Sequence, residues 1–206
     1  MDYWCEKGSK KRKRGDNSED DFFNSLSSSG SIESEGNHIY FYSEVTREKI
    51  LELNSQIRKI TKDLQQYAIK YDTEEPKLYI HINSYGGSIF AALSTIDTIL
   101  NCPLKVVTII EGCAASAATL ISVAGNERHI TRNSYMLIHQ LSSGFWGKMQ
   151  EIEDEYKNLK KLMKMIKNIY KQHTKIKMEK IDECLKHDLW WDSKECLKHG
   201  LVDKII

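Results

Sequence analysis

The pattern of apolar and polar positions changes near residue 38, and downstream of it periods of two alternate with periods of three to four as far as the C-terminus. Ile39-Tyr40-Phe41-Tyr42 predicts a short aromatic strand. Over residues 46–71, Ile50, Leu53, Ile57, Ile60, Leu64 and Tyr67 recur at three- and four-residue steps between charges, which predicts an amphipathic helix with a core stripe. Residues 77–83 alternate as a strand with Leu78, Ile80 and Ile82 on one face and His81 on the other, where a histidine is ordinarily structural. An apolar helix follows over 89–100, then a β-branched buried strand over 104–110. Residues 128–131 and 135–139, around Arg132-Asn133-Ser134, predict a hairpin-like pair of strands. Residues 147–173 predict a long charged helix with Met149, Ile152, Tyr156, Leu159, Met163, Ile166 and Tyr170 on one stripe, an arm for a partner subunit or for its own domain. A second helix is expected over 178–187, a capping box at Asp192 and Glu195 opens a short helix that Gly200 closes, and residues 201–206 predict a last strand. Strands and helices alternate throughout, so the fold class is α/β.

Residues 1–37 differ in kind. Lys10-Lys11-Arg12-Lys13-Arg14 is basic, Glu19-Asp20-Asp21 acidic, and residues 25–34 are mostly serine and glycine. Such a stretch buries too little apolar surface to offset its ordering entropy, so a disordered tail is expected over 1–37 and one domain over 38–206. The basic block reads as a nuclear-localisation signal, a nucleic-acid contact or a solubilising tail. With 30 Lys+Arg against 29 Asp+Glu the net charge is +1, so no nucleic-acid or membrane partner is expected apart from that tail. The five cysteines show no metal-ligand spacing and fit a reducing compartment. No apolar run approaches the roughly 20 residues of a membrane span, so a cytoplasmic protein is expected, with the nucleus left open by the basic block.

The chemistry gathers around Glu111-Gly112-Cys113-Ala114-Ala115-Ser116-Ala117-Ala118. Ser116 sits between a predicted strand and a predicted helix, where flanking alanines leave its hydroxyl reachable and helical N–H groups suit a developing oxyanion. The plain alternative is a run of small residues that lets a helix pack closely on a sheet. This is not the G-x-S-x-G elbow. Gly86-Gly87 forms another strand-to-helix turn with exposed N–H groups, and His139 ends an apolar strand, the best placed general base of the seven histidines. Asp182, Asp188, Asp192 and Asp203 all remain open as the acid. Cys113 is a second nucleophile candidate, with small buried core residue as its ordinary role.

Four stretches carry a resemblance: Ile82-Asn83-Ser84-Tyr85-Gly86-Gly87, Gly112-Cys113-Ala114-Ala115-Ser116, Met136-Leu137-Ile138-His139-Gln140 and Gly200-Leu201-Val202-Asp203. Residues 39–206 resemble the proteolytic subunit of the Clp protease, within the Clp/crotonase fold. The resemblance implies a spiral of β-β-α units with a protruding handle helix at 147–173, Ser116 as nucleophile, His139 as base, Asp188 as acid with Asp182 as fallback, and the backbone N–H groups of Gly87 and Ala117 as oxyanion hole. It implies a serine endopeptidase of polypeptides, a homo-oligomer of stacked heptameric rings, and an AAA+ unfoldase that alone uses ATP, with no metal or organic cofactor. The alternatives are a Clp-like capsid-maturation protease, a catalytically inactive assembly subunit and a crotonase-type acyl-CoA enzyme.

Overall fold

The computed structural model describes residues 30–74 and 76–206. Strands β1 (Ser31–Glu35) and β2 (His38–Tyr42) form a hairpin, with Gly36 at φ +57° in the turn and Ser31 opposite Tyr42. Residues 31–35 thus form a strand, where the sequence pattern placed a disordered tail. The strand was hidden because Ile32 is its one buried residue. Most of the expected tail, with the basic and acidic blocks, lies outside the described residues.

From β2 the sheet continues through β3 (Leu78–Ser84), β4 (Val106–Ala115), β5 (Glu127–Ile130) and β8 (Lys204–Ile205), all parallel. Leu78, Ile80 and Ile82 are fully buried, as the alternation predicted. Helix α1 (Arg47–Tyr71) starts where the Thr46 hydroxyl accepts from the Lys49 N–H at 3.2 Å and stops at Asp72, which is left-handed. It buries Ile50, Leu53, Ile57 and Ile60 against the sheet. Each such side chain contributes about 1.5–3 kcal/mol, so this face, not helix propensity, holds α1 in place. Helix α2 (Ile89–Leu100), capped by Ser88, packs on α1 and on α3 (Ala117–Val123), every residue of which is buried.

The remaining elements are β6 (Tyr135–Leu137), α4 (Met149–His173), α5 (Met178–Cys184), β7 (Trp190–Asp192) and α6 (Ser193–Lys198). Two expectations need correction. β5 and β6 are not a hairpin: both run parallel to β4 on one edge, β5 along Val107 to Ile110 and β6 along Cys113 to Ala115. Apolar patterning marks a strand but not its partner, and β4, at ten residues, is long enough to serve both. The helix expected over 178–187 ends at Cys184, leaving the next residues to run toward β7. The capping box at Asp192 and Glu195 is formed. Among the described residues no helix is long and apolar enough to cross a membrane.

Candidate active site

Ser116 follows the last residue of β4 and precedes α3. Its backbone stands at φ +52°, ψ −125°, and only Asp72 among the other described non-glycine residues has positive φ. A non-glycine residue there costs on the order of 1–3 kcal/mol and must be held by its neighbours. The holding contacts are visible: the Ser116 N–H donates to the Leu137 carbonyl at 2.9 Å, and the Ser116 carbonyl accepts from the Thr119 N–H at 3.0 Å. The Gly86-Gly87 turn closes over the same point. A Cβ on Gly86 would lie 2.7 Å from both the Ala115 carbonyl oxygen and Ser116 Cβ, and φ there is +100°, so no other residue fits without displacing the serine.

The sheet register explains which side chains come to Ser116. Ala115 pairs with Leu137 across parallel strands, so Ser116 and His139 both emerge just past the C-terminal ends of neighbouring strands. That edge is where ligands bind in parallel α/β sheets. β7 runs antiparallel to β6 with Leu137 opposite Trp190, and continuing this register by two residues sets His139 opposite Asp188. His139 Nδ1 lies 3.6 Å from Asp188 Oδ1, a contact too long for a hydrogen bond, with the histidine side chain 25% and the aspartate 78% exposed. The other three candidate acids are engaged elsewhere. Asp182 pairs with Lys167 at 2.6 Å, Asp192 caps α6 by accepting from the Glu195 N–H at 2.8 Å, and Asp203 holds Arg128 through both carboxylate oxygens at 2.7 and 2.9 Å.

Gly87, Ser116, Ala117 and His139 line one cavity of about 30 Å3, with Leu120, Ile166 and Tyr170 as apolar wall. Neither the Gly87 nor the Ala117 N–H donates to another backbone group among the described residues. Two larger depressions of about 530 and 670 Å3 lie along α1 and α2, but they hold none of the candidate residues and offer no nucleophile–base pair. Burial pushes the Cys113 thiol up, away from the thiolate that a cysteine nucleophile needs. No group of three or more His, Cys, Asp or Glu among the described residues is arranged to hold a metal.

His81 is where the strand pattern placed it, away from this cavity. Its Nδ1 meets Glu111 Oε1 at 2.7 Å and its Nε2 meets His38 Nδ1 at 2.8 Å, while the Tyr42 hydroxyl donates to the other Glu111 oxygen. Burial, reinforced by the Glu111 carboxylate, pushes the Tyr42 phenol up to about 12. Thr119 and Tyr170, which adjoin Ser116 through hydroxyl contacts, carried no signal beyond a small-residue helix and a helical stripe.

A family model described as Clp protease matches residues 33–206. The chain belongs to the Clp protease family. The ATP-dependent Clp protease proteolytic subunit of Deinococcus radiodurans is 29% identical over 170 residues, which cover 80% of this chain and 83% of that protein. A solved structure of a ClpP1 point mutant from Listeria monocytogenes matches with a TM-score of 0.72 at 24% identity, covering 83% of this chain and 91% of that one. That likeness concerns the fold, and it bears out the α/β architecture. The Clp protease match begins within β1 and runs to the C-terminus, so it takes in every strand end that borders the Ser116 cavity.

Proposed function

We propose that this Clp-family chain is a serine endopeptidase acting through Ser116, His139 and Asp188. One observation supports the reading: Ser116 and His139 line one cavity, and the register of β6 and β7 brings Asp188 opposite His139. Because His139 Nδ1 faces Asp188, Nε2 is left to take the Ser116 proton as Oγ attacks a peptide carbonyl. The oxyanion then accepts hydrogen bonds from Gly87 and Ala117, and losing one such donor typically costs about 10² to 10³ in rate. His139 returns the proton to the leaving amine, and water hydrolyses the acyl-enzyme. Asp188 holds the imidazole tautomer and stabilises the imidazolium.

The chemistry needs no metal or organic cofactor. Met149, Ile152 and Tyr156 leave an apolar stripe exposed on α4, which supports assembly into stacked heptameric rings through this handle. An AAA+ unfoldase would feed polypeptides to the rings and would be the component that uses ATP; the Deinococcus relative is named as ATP-dependent. Cys102, Cys113, Cys184 and Cys196 are free thiols, which supports a reducing, cytoplasmic compartment.

The test is labelling with a fluorophosphonate probe read by intact mass, with Ser116→Ala and Cys113→Ala as controls. A single adduct that disappears only in Ser116→Ala is the expected result. A folded, ring-sized protein that takes up no adduct would remove the catalytic reading and leave an assembly subunit.

A further inference from the structure

We propose that Tyr170 and Thr119 form a hydroxyl relay that fixes the peptide plane between Ser116 and Ala117 and thereby aims the Ala117 N–H at the oxyanion. The proposal rests on the serine-peptidase reading above. Its direction follows from counting protons. Thr119 Oγ1 lies 2.6 Å from the Ser116 carbonyl oxygen, which can only accept, so the single threonine hydroxyl proton is spent there. Thr119 Oγ1 also meets the Tyr170 hydroxyl, which must therefore be the donor in that contact.

The Ser116 carbonyl thus receives two donors, the Thr119 N–H at 3.0 Å and the Thr119 hydroxyl at 2.6 Å. A peptide bond is planar and trans, so its N–H points opposite to its C=O. Clamping the Ser116 carbonyl toward Thr119 therefore sends the Ala117 N–H the other way, and Ala117 borders the cavity that holds Ser116 and His139. Ser116 needs this clamp, because its φ and ψ lie where a non-glycine residue does not rest unaided. Hydrogen bonds to the carbonyl also polarise the amide and strengthen its N–H as a donor.

Tyr170 suits the role because it is 2% exposed and burial holds its phenol well above the usual tyrosine range, so it stays a donor at every working pH. It comes from α4, whereas Thr119 comes from α3. The nucleophile turn is therefore braced from outside its own strand–helix unit. Both are positioning residues, since neither hydroxyl is free to touch the reacting atoms.

An oxyanion forms only on the way to the tetrahedral intermediate, so a misaimed N–H lowers kcat and leaves KM alone. Tyr170→Phe keeps the ring and removes the donor; its kcat on a fluorogenic peptide should fall about 5-fold. Thr119→Val removes the relay and should cost about 30-fold, less than the 10² to 10³ of deleting an oxyanion donor outright. Thr119→Ser, which keeps the hydroxyl, should restore kcat to within about 3-fold of wild type. A peptide boronate, which mimics the tetrahedral species, should lose affinity in step with kcat. Adding Tyr170→Phe to Thr119→Val should have no further effect on kcat if the tyrosine acts through the threonine.

Unchanged kcat in both folded single variants would overturn the relay. So would a rise in KM at constant kcat, a failure of Thr119→Ser to rescue, or additive losses in the double variant. If wild type itself takes no fluorophosphonate and cleaves no peptide, the serine-peptidase reading fails and the relay falls with it. An active wild type with indifferent variants defeats the relay alone.

Discussion

Two carboxylates in this domain each face a basic side chain, and the two pairs could hardly be built more differently. Asp203 grips Arg128 with three hydrogen bonds between 2.7 and 3.0 Å, from the guanidinium and from the arginine's own backbone N–H, and the Arg128 side chain is 9% exposed. The guanidinium goes on to donate to the His173 carbonyl, which ties the end of α4 to β5 and β8. Asp188 makes one 3.6 Å approach to His139 and stands 78% exposed. The first pair is closed, and closing it joins three elements. The second is left open at the surface, with its carboxylate on a short run between α5 and β7. In the proposed mechanism His139 gains and loses a proton each turnover and Asp188 is near enough to steady it, and catalytic hydrogen bonds often tighten only in the substrate complex. Asp203 belongs to the Gly200-Leu201-Val202-Asp203 motif, so that motif's acid has a structural assignment in this chain.

The largest effect that would break the comparison is at its open end. His139→Ala should lower kcat by more than about 10⁴-fold with the melting temperature nearly unchanged, read from peptide hydrolysis and a thermal melt. Asp188→Asn should be milder, about 10²-fold in kcat, because so exposed a carboxylate restrains the imidazole less than a buried one. A loss near 10⁴ would mean that assembly buries Asp188 and closes the second pair too. At the closed end the currency changes from rate to stability. Asp203→Asn should leave kcat within about 2-fold while costing about 2 kcal/mol, below the usual figure for a broken buried pair because Asp203 is one-third exposed. For a domain of this size that is a fall of about 4–8 °C in Tm.

Acid should sharpen the contrast by the smallest margin. The Arg128 hydrogen bonds hold the Asp203 carboxyl below its usual range, so its contribution is complete above the unfolded value of about 3.9 and disappears as pH falls through the lower folded value. Melts of wild type and Asp203→Asn should therefore differ at pH 6 and converge only once the pH has fallen below the lowered folded value.

Much of this was legible along the chain. The α1 stripe, the alternation of β3 and the capping box of α6 are local patterns, and each formed where the spacing put it, except that Tyr67, expected at the end of the α1 stripe, is exposed. What stayed illegible was pairing. β1 carries serine and glutamate on its open side and one buried isoleucine, which no periodicity reveals. β5 and β6 were recognisable as strands, but nothing in either states that both lean on β4. The choice among four aspartates was likewise closed to sequence physics, because it depends on where Lys167, Arg128 and the start of α6 lie in space. Resemblance to a family pointed to Asp188, and the register of β6 and β7 sets that residue opposite His139.

Helix α4 has the proportions of a lever. Its 25 residues extend about 37 Å, yet its buried residues are Ile166, Ile169 and Tyr170, all near its C-terminal end. A displacement of about 2 Å at the free tip turns the root by only about 3°, if the helix stays straight at its 1.5 Å rise per residue. The packed end includes Tyr170, whose hydroxyl contacts Thr119. The exposed Met149, Ile152 and Tyr156 thus lie at the end of α4 farthest from the buried Tyr170.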